Sequence, residues 1–575
     1  MSLELSNFDE MSRQIAKDFL RSVLVVDDHP VFEEEEVVGK LQPPDVVVEA
    51  LESPAPETET KASSTEAVMP SAAAIGPSPE TVAPSVEAAD PHTLPFNRFS
   101  DSFAAFGMFC TVLTPEKEHL DDFVTQSVGE SGLANRADVV ILDWVLHGFK
   151  EGEKTLDIIG RLTHGEGGAK PRKRLLLVYT GESDLLGIAT KIRNRLNVPA
   201  VEGATAREQT HITSGATRIA IYAKPHVKVA QDLQPLVVPA EAIPEIVISE
   251  FANASPGLLS NLTLRSMGVL RSETYQILKK FPAKLDCGFV THKVLQNPED
   301  ASAHLLPLVV SEIQSALEDN LVIEVLSEPA LAGWLDSRIA SGFAFNFQGV
   351  TEIDARGGVH QLLKRSVIDV AGDAAHHSFL VGFLKSKNKA RGEVANRLTE
   401  VLSAEAGHRA NQEFAVLMAV RSRYGTPPPR LALGTIVHDR GRGIYLLCIQ
   451  PRCDSVRLAG ERHFPFLPLR ATDTGYDHVL LHGDGIVTLQ LIDEPYRIEM
   501  IAFQPWLETD REVLAKGGGE ELFFKSGASE TNFQWIAELR PDHAQRIANT
   551  FAGKISRVGL NESEWLRLNA KNKDE

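Results

Sequence analysis

Five residues of this chain have the types and spacing for phosphoryl chemistry: Asp27, Asp28, Asp143, Thr180 and Lys224. Each closes a short apolar run. Asp27 and Asp28 follow SVLVV (22–26), Asp143 follows VVIL (139–142), Thr180 follows LLLVY (175–179) and Lys224 follows RIAIYA (218–223). Carboxylates held close together repel and call for a cation. Mg2+ suits Asp27, Asp28 and Asp143, because it is hard and prefers oxygen ligands. Once that charge is balanced, a carboxylate can attack phosphorus and form an aspartyl-phosphate. The Thr180 hydroxyl and the Lys224 ammonium are then donors for the charge on the phosphoryl oxygens. The expected metal set is Asp27, Asp28 and Asp143, and the expected reacting set is Asp143, Thr180 and Lys224.

These residues need a scaffold that brings five strand ends to one edge. Ser22–Val26, Phe106–Leu113, Ala137–Leu142, Leu175–Tyr179 and Arg218–Ala223 are continuous apolar runs separated by helical stretches. That pattern predicts a doubly wound, five-stranded parallel sheet covered on both faces. In such sheets functional groups collect beyond the carboxyl ends of the strands. One segment interrupts the pattern. Residues 43–95 hold no aromatic residue, nine acids and a single base, Lys61. A Pro/Ala/Ser-rich stretch of this kind has too little apolar surface to offset its chain entropy, so it is expected to be a disordered tether.

The motifs VLVVDD (23–28), VVILDW (139–144), VYTG (178–181) and AKP (223–225) together resemble the receiver domain of two-component response regulators. The resemblance implies a flavodoxin-like α/β fold over residues 21–232, with Asp143 as phospho-acceptor, Asp27 and Asp28 as metal-binding acids, Thr180 as switch hydroxyl and Lys224 as the ammonium. It also implies a sensor histidine kinase as partner. Two departures stand out. His147 occupies the place, four residues after the acceptor, where the family usually has Pro. The switch aromatic normally lies three residues before the Lys, where this chain has Ile221, with Tyr222 one place off.

Outside this segment the sequence is less specific. Residues 1–20 read as an N-terminal helix, 233–425 as a mostly helical domain and 426–575 as a β-rich domain with terminal helices. Leu305, Leu306, Val309, Val310, Ile313 and Leu317 form one apolar helical face. Trp535, Ile536 and Leu539 are placed in the terminal helical stretch. Cys448 and Cys453 read as core thiols, because no second pair completes a zinc set. His376, His377 and His408 read as surface or capping residues, and His292 as an ordinary helix histidine. The net charge of −20, of which the insertion holds −8, excludes a general nucleic-acid binder. No apolar run reaches membrane-spanning length, and the polar, acidic start MSLELSNFDEMSRQ leads us to expect no secretory leader. Four cysteines suit a reducing compartment, so the expected location is the cytoplasm, with no membrane and no nucleic-acid partner.

The resulting expectation is a phosphate buffer or adaptor that competes with a second response regulator, rather than an enzyme acting on an external substrate. The stretches EFANASPGLLSNLTL (250–264) and LRSETYQILKKFPAKLD (270–286) resemble components of bacterial anti-phage two-component systems. That resemblance implies an antiviral setting. Two alternatives stay open: a response regulator whose residues 233–575 are an effector output, and a receiver-fold scaffold that is never phosphorylated.

Overall fold

The computed structural model describes residues 8–31, 93–129, 132–149, 151–164, 172–295, 305–339, 345–347, 350–352, 396, 399–400, 402, 407–425, 427–483, 485–506, 511–518, 521–527 and 531–555. The chain divides into two compact units, residues 1–334 and 335–575. Residues 43–92 of the expected tether, and His376 and His377, lie outside the described residues.

The first unit starts with helix α1 (Phe8–Phe19), which buries Met11 and Ile15, and strand β1 (Ser22–Val26). Two short strands, β2 (Pro30–Val31) and β3 (Leu94–Pro95), pair in parallel. The Leu94 N–H donates to the His29 carbonyl at 3.2 Å, which holds the end of β1's following turn beside the start of α2. Helix α2 (Phe96–Ala105) inserts Phe99 and Phe103, both 0% exposed. There follow β4 (Phe109–Leu113), α3 (Leu120–Val128), α4 (Leu133–Arg136), β5 (Val139–Leu142), α5 (Glu153–His164), β6 (Arg174–Thr180) and α6 (Leu185–Leu196). Next come α7 (Ala206–Gln209), β7 (His211–Ser214), β8 (Thr217–Ala223) and α8 (Ile243–Asn253).

The sheet order is β4-β1-β5-β6-β8-β7. The first five are the five expected runs, paired in parallel. Their order is the flavodoxin-like one, whose direction reverses between β1 and β5. Strands β5 and β6 are buried at every position, because helices cover both faces. Helix α2 packs on α8, and α3, α5 and α6 pack in series. The sixth strand, β7, is an antiparallel edge added beyond the five expected runs. Its sequence, HITS, is too short to stand out by pattern.

After the sheet come α9 (Leu258–Ser272), α10 (Thr274–Lys279), α11 (Asp286–Leu295), α12 (Leu305–Asp319) and α13 (Glu328–Arg338), which give the mostly helical region. α1 packs against α8 and α9. The apolar face of α12 is largely uncovered, for no α12 residue is buried and Leu306 is 70% exposed. Helical spacing specifies an apolar stripe but not what covers it.

The second unit holds the short pair β9 (Phe345–Phe347) and β10 (Val350–Glu352), helix α14 (Gly407–Ala419) and a nine-stranded antiparallel sheet. Its strands are β11 (Thr435–Asp439), β12 (Ile444–Cys448), β13 (Arg462–Ala471), β14 (His478–His482), β15 (Gly485–Leu491), β16 (Glu499–Phe503), β17 (Lys516–Gly518), β18 (Glu521–Lys525) and β19 (Asn532–Glu538). Helix α15 (Pro541–Ile555) closes one face with Ala544, Ile547 and Phe551. A phenylalanine-rich cluster including Phe464, Phe466, Phe503 and Phe524 forms a second core. Trp535 and Ile536 belong to β19, not to a helix: the strand pairs with both β11 and β18 and buries residues on both faces. Cys448 is a core residue, whereas Cys453 is exposed. Among the described residues no helix is long and apolar enough to cross a membrane.

Candidate functional site

Topology alone brings the singled-out residues together. Asp27 and Asp28 directly follow β1, Asp143 follows β5, Thr180 ends β6 and Lys224 follows β8. These four strands are consecutive neighbours, so their carboxyl ends line one rim of the sheet. The register continues past the strands: the Asp143 N–H donates to the Val26 carbonyl at 3.0 Å, and the Lys224 N–H to the Thr180 carbonyl at 2.8 Å.

The carboxylates are buried. Asp27 and Asp143 are each 2% exposed, and one oxygen from each of Asp27, Asp28 and Asp143 lies within 4.8 Å of the others. Lys224, also 2% exposed, reaches into the group with Nζ 2.9 Å from Asp27 Oδ2 and 3.7 Å from Asp143 Oδ2. Backbone donors hold the other oxygens. The Trp144 N–H donates to Asp143 Oδ1 at 2.8 Å, the His29 N–H to Asp27 Oδ1 at 2.8 Å and the His147 N–H to Asp28 Oδ2 at 2.6 Å. Two buried oxygens, Asp28 Oδ1 and Asp143 Oδ2, have no hydrogen-bond partner. Burial is the largest influence on Asp143 and lifts its pKa to about 7; Lys224 opposes that rise, and the charges of Asp27 and Asp28 add to it.

Three buried carboxylates against one ammonium, with two oxygens unpartnered, fit a divalent cation. Asp27, Asp28 and Asp143 are the residues positioned to hold it. Thr180 is fully buried, and its Oγ1 accepts from the Glu182 N–H at 3.1 Å, which leaves its own proton available to an acceptor. Behind the Asp143 side chain, the Thr155 hydroxyl donates to the Asp143 carbonyl at 2.8 Å and fixes the turn.

Two features at this rim escaped the sequence reading. His147 was marked as a departure, but its contact with Asp28 was not foreseen, and His29 also touches Asp28, with Nε2 3.3 Å from Oδ2. The aromatic question resolves differently from a free switch residue. Ile221 is fully buried, and the Tyr222 hydroxyl donates to Glu250 Oε1 in α8 at 3.0 Å. The same carboxylate meets His211 Nε2 at 3.1 Å and accepts from Arg218 Nε at 2.6 Å. Burial raises the Glu250 carboxyl, but His211 and Arg218 outweigh it, and the pKa falls to about 2. Burial raises the Tyr222 phenol, and the Glu250 charge adds to that. Of the other candidates, His292 is exposed on α11, as an ordinary helix histidine would be.

A family model described as "Response receiver domain" matches residues 19–229. No curated protein and no solved structure matches the chain. The matched span contains β1, β4, β5, β6 and β8 and all five rim residues. Residues 19–229 of this chain are therefore a response receiver domain, a module of two-component signalling.

Proposed function

We propose that this protein takes a phosphoryl group from the phosphohistidine of a sensor histidine kinase onto Asp143 and acts as a phosphate sink or adaptor in the cytoplasm. The observation that carries the reading is the buried rim in which Lys224 Nζ lies 2.9 Å from Asp27 and 3.7 Å from Asp143, while Asp143 Oδ2 has no hydrogen-bond partner. That oxygen attacks phosphorus, the new P–O bond replaces the P–N bond, and the electron pair leaves with the histidine nitrogen, which takes up a proton. Lys224 and the Thr180 hydroxyl donate to the transferred phosphoryl oxygens. Asp27, Asp28 and Asp143 would hold Mg2+, which supplies positive charge against that phosphoryl group.

The sink reading rests on the tied aromatic. Tyr222, the ring nearest the family's switch position, is bonded to Glu250 rather than left to rearrange. Within this proposal residues 1–20 are a leading helix, 21–232 the receiver with its insertion at 43–95, and 233–425 and 426–575 the helical and β-rich regions. A second response regulator and an anti-phage setting are part of the same proposal. They are motivated by the two stretches at 250–264 and 270–286.

The test is to incubate the full chain with Mg2+ and acetyl phosphate, and separately with an autophosphorylated candidate kinase. Mass spectrometry should find a phosphoryl adduct on the peptide containing Asp143 that Asp143→Asn removes. No adduct from either donor sinks the reading. In cells, an overactive pathway with Asp143→Asn supports the sink. A silent pathway supports the effector alternative instead.

A further inference from the structure

Helices α10, α11 and α12 bury no residue. The opening of α12, LLPLVV (305–310), is apolar on every side, a composition that belongs inside a core, yet five of its six residues are exposed. Helix α11 is 10 residues long and packs chiefly on the 3-10 turn just before it, Ala283–Leu285. A helix that short is marginal in water on its own. Its Val294 and Leu295 are each 78% exposed. The other side of α12 is occupied, because it packs on α9. What is left bare is an outward set: Leu278, Val290, Val294, Leu295, Leu306 and Val310. These six expose on the order of 700 Å2, above the roughly 300–600 Å2 of the largest apolar patch on a typical monomer and near the roughly 800 Å2 that each partner gives a standard interface.

Charge identifies the occupant. Residues 274–295 carry Lys279, Lys280, Lys284 and Lys293 against Asp286, a net +3. Helix α12 carries Glu312, Glu318 and Asp319 and no base, a net −3. Among the described residues, Lys279, Lys280 and Lys284 make no ion pair with α12. Two segments of equal and opposite charge, each beside bare apolar side chains and not paired with each other in one chain, are what a two-fold axis joins. Each segment of one copy then meets the other segment of the second copy, and every contact is made twice.

We infer that this chain forms a symmetric dimer in which α10 and α11 of one copy pack on α12 of the other. The apolar side chains supply the buried area, and the lysines of one segment and the acids of the other set the register. Phosphoryl chemistry at Asp143 plays no part in the inference, so the two stand or fall separately.

Sedimentation velocity of the full-length protein across a dilution series tests this. The expected result is a species of twice the chain mass that dissociates on dilution. Two charge variants then probe the pairing. The first carries Lys279→Glu, Lys280→Glu and Lys284→Glu, and the second carries Glu312→Lys, Glu318→Lys and Asp319→Lys. Each alone sets like charges face to face and should weaken self-association at least about tenfold. Mixed in equal amounts, the two should associate with each other about as strongly as the wild type does with itself, because each segment again meets its opposite. Recovery on mixing also shows that both variants are folded. A wild type that stays monomeric at every concentration overturns the inference. So does a dimer that neither variant weakens, which must use another face. Variants that weaken association but do not recover on mixing overturn the reciprocal pairing and the inference with it.

Discussion

Glu250 offers a quantitative test of how the receiver is joined to the helix that follows it. Its carboxylate takes 2.6, 3.0 and 3.1 Å contacts from Arg218, Tyr222 and His211, tying α8 to β7 and β8. Its pKa falls from the usual 4.5 to about 2. A carboxylate whose folded pKa is depressed adds stability that is complete above the unfolded pKa and fades as pH drops through the folded one. At about 1.4 kcal/mol per pKa unit, the shift is worth about 3 kcal/mol at pH 7 and about 1 kcal/mol at pH 3. Glu250→Gln keeps the shape, removes the charge and leaves Arg218 without it. The variant should therefore be about 3 kcal/mol less stable at pH 7, with the gap closing between pH 4.5 and pH 2. Urea unfolding followed by 19F resonance of 5-fluorotryptophan measures this at any pH. Trp144, assigned with Trp144→Phe, lies within residues 1–334 and reports that unit. A gap below about 1 kcal/mol at pH 7, or one that stays constant down to pH 3, would refute the reasoning.

Two further outcomes follow from the rim. Lys224→Met should destabilise the metal-free protein by about 3 kcal/mol, because it leaves buried carboxylates without their ammonium, and Mg2+ should recover part of that loss; a variant as stable as wild type in EDTA would contradict it. Gly152 has φ 71°, and a Cβ there would lie 2.2 Å from the Trp144 ring. Gly152→Ala should thus cost about 3 kcal/mol by overpacking and backbone strain. It should also slow phosphoryl uptake at the adjacent Asp143, as timed by adduct formation, and uptake at the wild-type rate would show the turn to be slack.

The receiver was legible because its signal is carried by strands buried on both faces. SVLVV, VVIL and LLLVY leave little choice but the middle of a parallel sheet, and the polar residue after each run then falls at the rim. What was illegible depended on long-range partners. HITS becomes a strand only because β8 offers an edge, and Glu250 becomes a buried anchor only because β7 and β8 bring His211, Arg218 and Tyr222 to it. In the second unit, β13 carries Pro465 and Pro468, which break the usual strand pattern. Their carbonyls still accept from Ile449 at 3.0 Å and Ile492 at 2.9 Å, so pairing uses the group that proline retains. Trp535, Ile536 and Leu539 read as helix because they satisfy helical spacing, whereas β11 and β18 on either side of β19 decide the matter.

The placement of Tyr222 bears on what kind of receiver this is. A switch aromatic works by exchanging two positions of similar free energy when the acceptor is phosphorylated. Tyr222 is 4% exposed, and its hydroxyl bonds a carboxylate that also holds Arg218 and His211. Moving it would forfeit a hydrogen bond to a charged group, worth about 2 kcal/mol, and would leave the phenol to find another partner in the core. Ile221, at the switch position itself, has no polar group to exchange. On the proposed function, phosphoryl uptake at the rim would leave β8 tied to α8, which is the behaviour a sink requires and an aromatic-switched output does not.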